Sequence, residues 1–172
     1  MVSLTPIQLI LTFFLAGLSL KIADYLGEKG LKLKAYLTST ISAFLFWILI
    51  KNDPQSSTII CSIIIGCLLS LKVDKPNLLL GLILILALSI FLGFSTPVFW
   101  LLLVLTLVVI LDEFTHEKFA QKGGFSIFFR FRMFLKIAVI ILFLVNFLSL
   151  THLLGFLLFD LSYDFLGLYL EE

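Results

Sequence analysis

The stretch Leu103 to Lys122, LVLTLVVILDEFTHEKFAQK, constrains this chain more than any other. It begins as an uninterrupted apolar run and closes on Asp112, Glu113, His116, Glu117 and Lys118. An apolar segment that ends in a dense group of ionisable residues reads as a membrane helix meeting water. The same event recurs at Lys21–Asp24 and at Lys72–Asp74. Composition agrees. Hydrophobic residues make up 61% of the 172, charged residues 13%, and mean hydropathy is +1.19. A small soluble domain buries only about two-thirds of its unfolded surface, too little to hide so much apolar area. A bilayer removes the difficulty.

Seven apolar segments follow one another, at about 3–20, 35–50, 57–71, 78–94, 97–111, 133–150 and 153–170. Period-two alternation is absent, so these are helices rather than strands. The N-terminal run lacks a basic flank and a clear small-residue cleavage site, so it reads as a first span and not a signal peptide. The expected fold is an all-α integral membrane protein. It is one polytopic domain over residues 1–172, a bundle of six transmembrane helices plus a seventh C-terminal helix that either spans or lies at the interface.

Alternating the loops between two sides gathers Lys21, Lys29, Lys32, Lys34, Lys72, Lys75, Lys118, Lys122, Arg130, Arg132 and Lys136 on one side and leaves Lys51 alone on the other. Lys and Arg collect in cytoplasmic loops, so 21–34, 72–77 and 112–136 are expected inside a cell membrane and the N-terminus outside. Trp47 and Trp100 then both fall at the outer interface, where indole rings prefer to sit. Net charge is +1, which speaks against a nucleic-acid partner. Cys61 and Cys67 lie six positions apart in one apolar run, outside disulfide reach, and read as small buried residues.

Four groups of residues carry candidate chemistry. Leu18-Ser-Leu-Lys21-Ile-Ala-Asp24 and Leu69-Ser-Leu-Lys72-Val-Asp74 echo each other. With Asp112, the acids Asp24 and Asp74 form a candidate set for a divalent cation. The alternative is that Lys and Asp merely terminate helices, the Lys answering the helix dipole. On a helix Asp112 shares a face with His116, and Glu113 with Glu117. His116 or Glu113 would then move a proton, unless this is a solvated extension paired to Lys118 and Lys122. Lys21, Lys72, Arg130 and Arg132 would hold phosphate or a lipid headgroup, or simply anchor the topology. Asp160 and Asp164, one turn apart, form an intramembrane ion or proton site if the last segment spans.

No Walker loop, Rossmann glycine pattern, Ser-centred elbow or H-E-x-x-H motif is present, and the spaced D-x-x-D run of CDP-alcohol phosphotransferases is missing. The favoured expectation is a small transporter or a membrane binding or scaffold protein. Its partners would be membrane lipid and either another protein or further copies of itself. The alternative is a divalent-metal-dependent enzyme acting on a phosphate-bearing lipid at the cytoplasmic face.

Overall fold

A computed structural model describes residues 4–119, 128–129 and 131–171. Among them are seven helices: α1 Pro6–Glu28, α2 Lys32–Asn52, α3 Pro54–Leu69, α4 Pro76–Leu92, α5 Phe99–Phe119, α6 Met133–Leu144 and α7 Leu150–Glu171. Four of them, α1, α2, α5 and α7, are long and apolar enough to cross a membrane. The other three are apolar but shorter. At about 1.5 Å per residue, the 16 residues of α3 extend about 24 Å and the 12 of α6 about 18 Å.

Local sequence sets the helix starts. Thr5 and Gln8 form a reciprocal capping box, with Pro6 at the first helical position of α1. Asp53 accepts from the Gln55 and Ser56 amides, both 2.9 Å, with Pro54 next in line. Pro76 takes the first helical position of α4, where Lys75 makes no side-chain cap. Gly30 ends α1 and Gly93 ends α4 with φ of 71° and 86°, angles that glycine adopts without steric cost.

Several boundaries differ from those read in the sequence. α1 continues through Lys21 and Asp24 to Glu28, whereas α3 stops at Leu69 and turns through Leu71 at φ 56°. The two LSLK echoes are therefore unlike in structure, one inside a helix and one at a turn. Charged residues ended the apolar runs but not the helix, because Lys and Asp are tolerated where they pair. α6 ends at Leu144, not near 150, and α7 begins at Leu150.

Packing runs α7–α1–α2–α4 on one side and α2–α3–α5–α6 on the other, closed by lighter contact between α6 and α7. α1 and α7 form the most extensive pair, around the fully buried rings of Phe13 and Phe156. The last helix thus lies along the bundle.

The bundle has two distinct ends. One is a polar knot tying helix starts together. His152 Nε2 lies 2.9 Å from Asp53 Oδ1, Ser149 Oγ is 2.7 Å from His152 Nδ1, and Asn52 donates to Asp53 at 2.6 Å. Gln55 bonds both the Phe147 carbonyl and the Ser149 amide. At this end Trp47 donates to the Gly93 carbonyl and Trp100 packs edge-on against Phe147. Lys51 sits 4.7 Å over the Trp47 ring.

Burial alone pushes the Asp53 carboxyl upward, but hydrogen bonds from His152 and Ser56 outweigh it and hold the group below its ordinary 3.8. A carboxyl lowered by folding contributes stability that is complete above its unfolded value and is lost as pH falls through the folded one. Asp53→Ala is expected to cost about 1–3 kcal/mol near neutral pH, since it orphans the α3 amides and His152 together. Thermal unfolding in detergent checks this, and the difference from wild type should shrink on strong acidification.

Candidate ligand cavity and charged end

At the other end the helix termini carry the ion pairs. Lys75, at the start of α4, bridges Asp24 and Glu28 of α1, the latter at 2.8 Å. Burial lowers its ammonium pKa, but the hydrogen bonds to the two acids raise it above the ordinary lysine value. Lys72 reaches Glu117 at 3.4 Å. Glu113, only 5% exposed, pairs with Arg132 through Nε at 2.9 Å and through the terminal nitrogen at 3.2 Å. Burial opposes the charge on Arg132, yet Glu113 more than compensates and holds the guanidinium protonated. Lys136 joins Asp160 at 2.6 Å and Asp164 at 3.3 Å.

Asp112 does a different job. Its carboxylate, 2% exposed, accepts from the backbone amides of Phe134 at 3.1 Å and Leu135 at 2.6 Å. Arg132, the residue at the N-cap of α6, has φ 46° and makes no side-chain cap. Asp112 therefore caps α6 from α5, a neighbouring helix, and satisfies donors that would otherwise be stranded.

Between these termini lies a cavity of about 360 Å³. α2 backs it with Ser39, Ser42, Ala43 and Phe46. α3 contributes Ile63, Ile64 and Cys67, and α4 contributes Leu78, Gly81, Leu82 and Ile85. Both α3 and α4 pack on α2, but no extended seam joins them to each other among the described residues. The cavity fills the space they leave. Its charged rim comprises Asp24, Glu28, Lys72, Asp74, Lys75, Glu113 and Arg132, with Tyr163. Asn77 fixes the start of α4 to this wall. Its amide donates to the Ala23 carbonyl at 2.8 Å and to Ser39 Oγ at 3.1 Å. Gly27 leaves the room, since a Cβ there would lie 2.7 Å from Asn77 Oδ1.

A smaller cavity of about 100 Å³ adjoins it, enclosed by Asp112, Leu135, Phe156, Phe159 and Asp160. Leu20, Ile63, Cys67, Glu113, Arg132 and Tyr163 line both spaces. The Glu113–Arg132 pair and Tyr163 thus stand on the shared wall.

The sequence candidates divide accordingly. Asp24, Asp74, Lys72, Glu113 and Arg132 come together on the large cavity. Asp112 does not join Asp24 and Asp74 there; it is held at the start of α6. Among the described residues, no group of three or more His, Cys, Asp or Glu is placed to hold a metal ion. His116 Nδ1 lies 3.1 Å from the Phe129 carbonyl, away from the cavity lining. Lys21 approaches Asp24 at 3.9 Å and lies over the Tyr163 ring. Asp160 and Asp164 share Lys136 instead of facing each other alone. Arg130 lies outside the described residues. Cys61 and Cys67 are free thiols.

Sequence reasoning missed the parts of Ser42 and Tyr163 in the lining and the bridging role of Lys75. Lys75-Pro76-Asn77 carried a signal, because a proline at a helix start places the preceding lysine at the cap beside other termini. Comparison of the chain with protein-family models, with curated proteins and with solved structures finds no match.

Proposed function

We propose that this chain is a polytopic integral membrane protein that holds a lipid-like amphiphile in the larger cavity, as a small transporter or a membrane binding protein does. The carrying observation is the two-part lining: an apolar floor between α2, α3 and α4 that opens on a rim of both charge signs. Pockets of about 300–1,000 Å³ with a mainly apolar wall and a few placed polar groups are ordinary ligand sites. The gap between α3 and α4 would leave room for an acyl chain to extend into surrounding lipid.

Membrane residence is supported by the outward faces. Ile7, Leu11 and Leu15 on α1, Ile83 and Ile90 on α4, and Leu103, Leu107 and Leu111 on α5 are all exposed. Helices apolar on both faces belong in an apolar solvent. In this reading all seven helices enter one bilayer. α7 spans beside α1, and the short α3 and α6 reach full depth with help from flanking polar residues. The charged end is cytoplasmic by the distribution of Lys and Arg, and the Asp53–His152 end faces out. With Cys61 and Cys67 replaced by Ser, Lys32→Cys should react with an impermeant thiol reagent only after cells are opened, and Ser95→Cys before. The reverse pattern would invert the topology.

The metal-dependent enzyme alternative has less support, because Asp112 is engaged at α6 and Glu113 at Arg132. Ile64→Trp is expected to fill the cavity and abolish lipid that copurifies with the wild-type protein, with little change in thermal midpoint. Native mass spectrometry of the detergent-released protein reads this out. Unchanged lipid in the folded variant would remove the cavity as the binding place.

A further inference from the structure

We propose that the headgroup taken by this cavity carries a phosphate and a primary amine together, the phosphoethanolamine pattern. The inference rests on the amphiphile reading above and adds the chemistry of the polar end. Four carboxylates face three cations on the rim. A purely anionic headgroup would set its charge beside the Asp74 carboxylate, which lines the same rim. The remaining question is which rim charges are still free to meet a ligand.

Arg132 is committed to Glu113 by two contacts. Lys75 is shared between Asp24 and Glu28, and Lys21 also approaches Asp24 at 3.9 Å. Lys72 is held only at 3.4 Å, by a Glu117 side chain that is 72% exposed. Asp74 has no hydrogen-bond or ion-pair partner among the described residues. Lys72 and Asp74 stand two residues apart in the turn that joins the two cavity walls. Leu71 at φ 56° and the Lys72 amide bonded to the Cys67 carbonyl fix the turn.

The accessible groups are therefore one ammonium and one carboxylate, two positions apart in the chain and both lining the cavity. A phosphate answers Lys72, and a primary ammonium donates to Asp74. A quaternary ammonium has no N–H to donate, so a choline headgroup satisfies only half of the pair.

The test uses the full chain in nanodiscs of equimolar phosphatidylethanolamine and phosphatidylglycerol. Lipids that stay bound on release are weighed by native mass spectrometry. Wild type should retain phosphatidylethanolamine in about two- to fivefold preference, the worth of one ion pair at a half-wet rim. Asp74→Asn should erase the preference by lowering retention of phosphatidylethanolamine and not of phosphatidylglycerol, and Asp74→Glu should restore it. Lys72→Gln should lower retention of both lipids.

Equal or greater retention of phosphatidylglycerol by wild type overturns the headgroup assignment and leaves the amphiphile reading standing. So does a preference that survives Asp74→Asn. Absence of any bound lipid overturns both. Displacement of bound lipid by soluble glycerophosphoethanolamine, but not by glycerol phosphate, upholds the headgroup chemistry and assigns its source to a soluble ligand.

Discussion

Gly17→Val is expected to cost about 3 kcal/mol or more, enough to leave little folded protein in mild detergent. Even a Cβ at this position would lie 2.2 Å from the Phe159 carbonyl oxygen and 2.3 Å from Ser162 Oγ. The first of these is backbone and cannot rotate away. α1 and α7 would have to separate, and Phe13 and Phe156 would lose their contacts across the seam. Gly155 repeats the device from the α7 side, where a Cβ would meet the Phe13 ring at 2.6 Å. Ser162 adds a bond across the same seam, its hydroxyl donating to the Phe14 carbonyl at 3.0 Å. Small residues let helices approach this closely, and the approach yields dispersion contacts along the seam. Gly81→Ala is the control. Its Cβ would sit 3.4 Å from the Ser39 carbonyl oxygen, an ordinary contact, so the variant should unfold near the wild-type midpoint. Equal midpoints for Gly17→Val and wild type would refute the packing.

The second large effect lies at the wall between the cavities. Arg132→Met is expected to destabilise by about 3–5 kcal/mol, because it leaves the Glu113 carboxylate buried without a counterion. The double variant Glu113→Gln with Arg132→Met should recover most of that loss, since two neutral groups carry no stranded charge. Denaturation in mixed micelles across the four proteins gives the coupling directly. Additive losses would mean that the two side chains do not act as a pair. Lipid retention in the double variant separates stability from binding, as the apolar floor of the cavity is untouched.

The sequence carried the helical, apolar character and the gathering of cations at one end, because both are set by residue type along the chain. Helix ends were less legible. Lys21 and Asp24 looked like a terminus, yet Lys75 and Tyr163 accommodate them inside α1, and that depends on elements far along the chain. Asp112 looked like a metal ligand because a carboxylate beside His116 has that form. In the structure it accepts from backbone amides of α6, which no side-chain pattern announces. The tie between Asp53 and His152 spans 99 residues and was equally hidden. In the sequence Lys136 stands only among the cations of one side and Asp160 with Asp164 as a separate site, but the three meet.

The cap that α5 lends to α6 bears on how the protein is made. Among the described residues α6 has no acceptor of its own at its first turn, so those amides stay unpaired until α5 is alongside. The two segments should therefore fold as one hairpin. A chain ending after α5 would leave the Asp112 carboxylate without the amides that donate to it in the whole protein.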